Sequence, residues 1–187
     1  MPVWWRNSKR ISRMLLAAVT SMACAAQAQA LSCLPMGPGD VYGIVANSED
    51  PFVIIEGQVT FDESLLPYPS DEAPGATQEP TEIPAQVTGL LLGERMFDQP
   101  VEGEITLVAH CLGPWCGKLQ SGKRYLFFAR NHDGRVRAIL EPCGGFFFDA
   151  EDGSAGDIVL QCHRGRACPS ELPDNMDGAV APPPASE

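Results

Sequence analysis

The segment Cys116-Gly117-Lys118-Leu119-Gln120-Ser121-Gly122-Lys123-Arg124-Tyr125-Leu126-Phe127-Phe128-Ala129 constrains the fold more than any other part of the chain. A cysteine ends one segment, Gly122 marks a turn, and an aromatic run with strong strand preference begins straight after it. The N-terminus decides how that cysteine is read. Arg6, Lys9, Arg10 and Arg13 form a basic region, Met14 to Ala26 is apolar and uncharged, and Ala28-Gln29-Ala30 has the small-x-small pattern of a signal-peptidase site. The apolar run is too short to stay in a bilayer as a spanning helix. These features predict a signal peptide over residues 1–30, export to the periplasm or the extracellular space, and Cys116 as a structural staple in an oxidising compartment.

Removal of the signal changes the charge. Four of the 13 Lys+Arg lie in residues 1–30, which leaves nine against 24 Asp+Glu, a formal charge of −15 over 157 residues. A surface so acidic repels phosphate backbones and anionic membrane faces, so neither nucleic acid nor lipid headgroups are expected partners. The remaining length suffices for one domain with its own core. Cys24 leaves with the signal, and Cys33, Cys111, Cys116, Cys143, Cys162 and Cys168 remain. Six cysteines suit a disulfide framework, with fifteen pairings open.

Residues 41–46 and 52–61 read as strands parted by the turn cluster at 47–51, with Gly57 marking a bulge or sharp bend. Residues 62–86, acidic and Pro-rich, read as a solvated loop. Strands are expected again at 86–93, 104–110, 123–130 and 135–141, with 95–100 closing the first of these. Asn131-His132-Asp133-Gly134 reads as a hairpin turn. No amphipathic helix of three turns is expected before residue 150. Residues 169–187 are Pro-rich and expected to be disordered, without an apolar membrane anchor. Five or six strands joined by short turns predict an all-β fold, a small antiparallel barrel with an irregular C-terminal extension.

The run from Val87 through Met96-Phe97 and Glu104-Ile105-Thr106-Leu107 to Cys116-Gly117-x-Leu119-x-x-Gly122-x-x-Tyr125-Leu126, then Ile139-Leu140-x-x-Cys143, resembles the netrin-like domain. That domain is the OB-fold barrel shared with tissue inhibitors of metalloproteinases. Ser32-Cys33-Leu34-Pro35 resembles the second half of the Cys-x-Cys-x-Pro opening of those inhibitors, and the resemblance spans roughly residues 31–145. It implies an OB-fold domain over 31–168 that binds without catalysis. Its expected interaction edge is Leu31, Ser32, Cys33, Leu34 and Pro35. The inhibitors chelate a protease's zinc through an N-terminal cysteine, and here Leu31 takes that place. Metalloprotease inhibition is thus the alternative reading, and a passive structural role in the cell envelope is a third. In the family pattern Cys33 pairs with Cys143. Cys116 has lost its family partner, which Cys111 replaces, and Cys162 pairs with Cys168.

His110, Cys111 and Cys116, or Cys162, His163 and Cys168, lack standard zinc spacings, and disulfides are expected in their place. Cys111 and Cys116 enclose four residues where thiol oxidoreductases enclose two. His132 and Asp133 sit in a turn, and Gly153-Ser154-Ala155-Gly156 displaces the serine from a nucleophile elbow. Asp149, Glu151, Asp152 and Asp157 crowd one loop without the EF-hand spacing for calcium. Phe146-Phe147-Phe148 cannot all face one core, so at least one is expected to be exposed or covered by the C-terminal segment. The expectation is a non-enzyme with no catalytic residue, metal or cofactor, whose partner is a protein or another envelope component.

Overall fold

The computed structural model describes residues 33–34, 36–68 and 78–169. The elements are α1 (Pro38–Ala46), β1 (Phe52–Phe61), a 3-10 turn (Glu63–Leu65), β2 (Thr81–Leu92), β3 (Phe97–Ala109), β4 (Cys111–Leu112), β5 (Trp115–Cys116), β6 (Arg124–His132), β7 (Arg135–Leu140), β8 (Phe147–Asp149) and α2 (Ser154–His163). Five strands close a barrel in the order β1-β2-β3-β7-β6 and back to β1. All pairs are antiparallel except β3 and β7, which run parallel over Thr106–Ala109 and Arg137–Leu140. The fold is the expected small, mainly antiparallel OB-type barrel, with β3 and β7 as its one parallel pair. β8 adds to β6 beside Tyr125, Leu126 and Phe127.

The aromatic run at 125–129 is apolar at every position because both faces of β6 are buried. Tyr125, Phe127 and Ala129 point into the barrel with Ile55, Val59, Ile83, Val87 and Leu107. Leu126 and Phe128 point outward into a second cluster with Val41, Val45, Phe148, Ala155 and Val159, beneath α1 and α2. The three consecutive phenylalanines divide in the same way. Phe147 packs against the barrel cluster and stacks on Phe127 at 4.9 Å, while Phe146 and Phe148 join the outer cluster that the C-terminal helix covers.

Several expectations need correction. Residues 41–46 are helix, since Pro38 occupies the first turn and the Gly37 N–H donates to Asp40 Oδ2 at 2.9 Å. Val41 and Val45, one turn apart, bury one face. The loop expected at 62–86 ends early: β2 starts at Thr81, and Ile83 and Ala85 are buried in the barrel between exposed Glu82, Pro84 and Gln86. β3 begins at Phe97, so the turn falls at 93–96 and Pro100 lies within a strand, on an edge that β7 does not reach. The C-terminal extension contains the ten-residue α2. The tail expected to be disordered lies, apart from Pro169, outside the described residues.

Gly57 marks a close approach and not a bulge, for the β1–β2 register runs unbroken with Gly57 opposite Gly89. A Cβ on Gly57 would stand 2.6 Å from Thr88 O, and one on Gly89 2.4 Å from Glu56 O. The hairpin at 131–134 is as expected, a two-residue turn with φ of 53° at Asp133 and 78° at Gly134. Three disulfides join Cys33 to Cys143, Cys111 to Cys116 and Cys162 to Cys168, the pairs that the resemblance implies. Three such bonds fit an oxidising environment. Among the described residues no helix is long and apolar enough to cross a membrane.

Candidate functional site

β7 ends at Leu140, and the chain turns at once, with the Gly144 N–H donating to Glu141 O at 3.0 Å. Gly144 and Gly145 follow with φ of 71° and 119°, a left-handed backbone that glycine adopts freely. Cys143 is presented on this turn and holds Cys33. On the far side of Leu34, Met36 packs into the outer cluster and comes within 3.2 Å of where a Gly145 Cβ would lie. Leu34 is thus held between a covalent anchor and an apolar one while remaining 84% exposed. Of the expected edge, Cys33 and Leu34 stand at this end of the barrel, while Leu31, Ser32 and Pro35 lie outside the described residues.

The neighbouring residues show what the site can and cannot do. His110 Nδ1 lies 3.8 Å from Glu141 Oε1, both about two-fifths exposed, beside the turn that carries Cys143. The His110 N–H donates to Leu140 O, which ties the β3 exit to the β7 exit. Cys111 and Cys116 face each other across the β4–β5 hairpin and are bonded to each other, so neither supplies a thiolate to a metal or a redox reaction. Cys162 and Cys168 are spent likewise. Among the described residues no group of three or more His, Cys, Asp or Glu converges in a metal-binding arrangement. The acidic loop instead serves local turns. Asp152 Oδ1 accepts from the Ser154 N–H and hydroxyl, which lowers its pKa below the ordinary aspartate value, and Asp149 accepts from the Glu151 N–H. His132 and Asp133 stand exposed in their hairpin.

A groove lies on another part of the barrel, beneath α1. Tyr42, Val45 and Ala46 of α1, Phe52, Val53 and Ile54 of β1, and Leu91 and Leu92 of β2 enclose an open, mostly apolar groove of about 350 Å³. His163 closes one end. Its Nε2 lies 3.1 Å from Gly93 O and 3.0 Å from Glu94 O, so it donates to these carbonyls, and its Nδ1 accepts from the Tyr42 hydroxyl at 2.9 Å. Burial pushes the Tyr42 pKa up, in keeping with a phenol that donates. The strand that the sequence suggests over residues 41–46 gives no such groove, because it separates Tyr42 from His163. Gly37-Pro38 with Asp40 was the available sign of a helix start.

No family model, curated protein or solved structure matches this chain.

Proposed function

We propose that this protein is an exported, non-catalytic binding module of the netrin-like type, which engages a protein or another envelope component through the edge at Leu34. One observation carries the reading: Leu34 is almost fully exposed between the Cys33–Cys143 bond and half-buried Met36. Covering an exposed leucine removes apolar surface from water, and one anchored nearby in the chain loses less freedom when a partner covers it, so that pre-organisation favours binding. The signal-peptide pattern at residues 1–30 supports export, and the disulfides agree with it.

Metalloprotease inhibition remains the second reading, favoured by the same bond, because Cys33 pairs as the second cysteine of the inhibitors' opening does. Photocrosslinking separates the readings. A photoreactive phenylalanine analogue at position 34 is expected to give one partner adduct in exporting cells, and the same group at exposed Gln86 none. An adduct with a metalloprotease, together with inhibition abolished by Leu34→Asp, decides for the second reading. Identical labelling at both positions, or none at position 34, overturns the binding edge and leaves the passive structural role.

A further inference from the structure

The groove between α1 and the barrel has an unused strand edge along its floor. β1 pairs with β6 from Phe52 onward but with β2 only from Ile55 onward. The Val59 N–H donates to Lys123 O, and Pro51 O accepts from the Asn131 N–H, both on the β6 side. Successive strand residues bond to opposite sides. The odd-numbered positions of β1 therefore face β6, and Phe52 and Ile54 turn their N–H and C=O groups toward the groove. Among the described residues no strand pairs with them there. Across the groove, the β2–β3 register shifts between Leu91 and Leu92 as the hairpin diverges from β1.

Two further observations indicate what covers this edge. Three arginines stand at the His163 end of the groove, beside exposed Glu94 and Asp98, in an otherwise acidic molecule. The Arg164 guanidinium donates to the carbonyl of exposed Arg95 at 2.8 and 3.0 Å, and exposed Arg166 follows two residues later in the chain. Among the described residues none of the three makes an ion pair with a carboxylate. The chain also leaves the fold beside the groove's own wall. Cys168 Sγ lies 3.3 Å from Gly39 O, and a Cβ on Gly39 would stand 2.0 Å from Pro169 O, at the first turn of α1. Beyond Pro169 the sequence carries Glu171, Asp174, Asp177 and Glu187, no Lys or Arg, and Leu172 and Met176 between the acids.

We propose that residues 170–187 of this chain dock in the groove, with Met176 against Val45, Leu91 and Leu92, backbone groups on Phe52 and Ile54, and acidic neighbours on Arg95, Arg164 and Arg166. The reach is ample. Seven residues span at most about 25 Å when extended, whereas α1 from Gly39 to Ala46 is only about 10 Å long. Tethering raises the local concentration of the segment to about the millimolar range, so even a weak contact is occupied. The docked segment takes the edge on which an outside strand would otherwise add. This inference is independent of the Leu34 reading.

Amide hydrogen exchange on the oxidised chain from residue 31 to 187, compared with the same chain ended at Pro169, tests it. The Ile54 amide is expected to exchange about tenfold slower in the longer chain. Met176→Asp, or Arg95→Glu with Arg166→Glu, is expected to remove that protection. A synthetic 170–187 peptide added to the shorter chain is expected to restore it in a salt-sensitive way. Equal exchange in the two chains overturns the proposal, as does protection indifferent to both sets of substitutions. Protection that grows with protein concentration assigns the groove to a second copy and overturns it too.

Discussion

Tyr125 shows at the residue scale how a single side chain serves both the core and its exit. Its ring is buried against Phe147 at 5.9 Å, and its hydroxyl accepts from the Gln120 N–H at 3.1 Å and donates to Gln120 O at 3.3 Å. Burial raises its pKa above the ordinary value of 10.0, with smaller contributions from Asp149, Glu63 and Glu151, against the lowering effect of the Gln120 bond. The fold thus prefers the neutral phenol. The resulting stability is fully present below pH 10.0 and is lost as pH rises through the folded value. Unfolding followed above pH 10.0 should show this loss in the parent and a shallower one in Tyr125→Phe. At neutral pH the variant should lose about 1 kcal/mol, the net worth of a hydrogen bond. A dependence on pH unchanged by the substitution would assign the alkaline loss to other groups. Little of this was legible in the sequence: Tyr125 was recognisable as a strand residue, but its partner five positions earlier depends on how the turn at Gly122 folds back. Gly57 was legible as a special position, while its opposite number Gly89 required knowledge of the register.

At the scale of elements, alternation and turn chemistry were the readable signals, and they failed where tertiary burial set the outcome. The Asp133-Gly134 hairpin and the β7 alternation are local, so the sequence displays them. The first helix is different. Val41-Tyr42-Gly43-Ile44-Val45-Ala46 has β-branched residues that suit a strand, yet α1 forms because its valines lie one turn apart over the outward faces of Leu126 and Phe128. Its start is held by Asp40, whose carboxylate accepts the Gly37 N–H and sits at the favourable end of the helix dipole. Asp40→Ala should therefore cost about 0.5–1 kcal/mol, a fall in melting temperature of a few degrees at about 2–4 °C per kcal/mol. Asp40→Asn, which keeps an acceptor but not the charge, should recover part of it. Equal losses in the two variants would mean that the charge is what matters. The start of β2 was hidden for a related reason, since Ile83 and Ala85 are embedded among Glu82, Pro84 and Gln86 in a Pro- and Glu-rich setting, and pairing with β3 shows that they belong to the barrel.

At the scale of the whole molecule, closure is what no local pattern displays. The parallel pairing of β3 with β7 and the return of β6 to β1 join residues far apart in sequence. The cysteines carried that long-range information better than the strands did, because the resemblance attached the first of them to the end of the last barrel strand. The bonds differ widely in the loops they close. Cys33–Cys143 has a sequence separation of 110, while Cys111–Cys116 and Cys162–Cys168 have separations of 5 and 6. In the chain-entropy model the long loop is worth about 4–5 kcal/mol and each short loop about 2, upper figures where the unfolded chain keeps residual structure. Replacing Cys33 and Cys143 together by Ser should consequently lower the melting temperature more than replacing either other pair, and it should also free Leu34 from its anchor. A double measurement makes the ordering informative. If loop entropy dominates, melting temperature falls most for Cys33/Cys143 while the folded barrel's amide spectrum changes only near residues 33–36 and 141–145. If the Cys162/Cys168 pair proves the most costly instead, the contact of Cys168 with Gly39 and the seating of α1 on α2 contribute more than chain entropy, and stability resides in the helical cover more than in barrel closure.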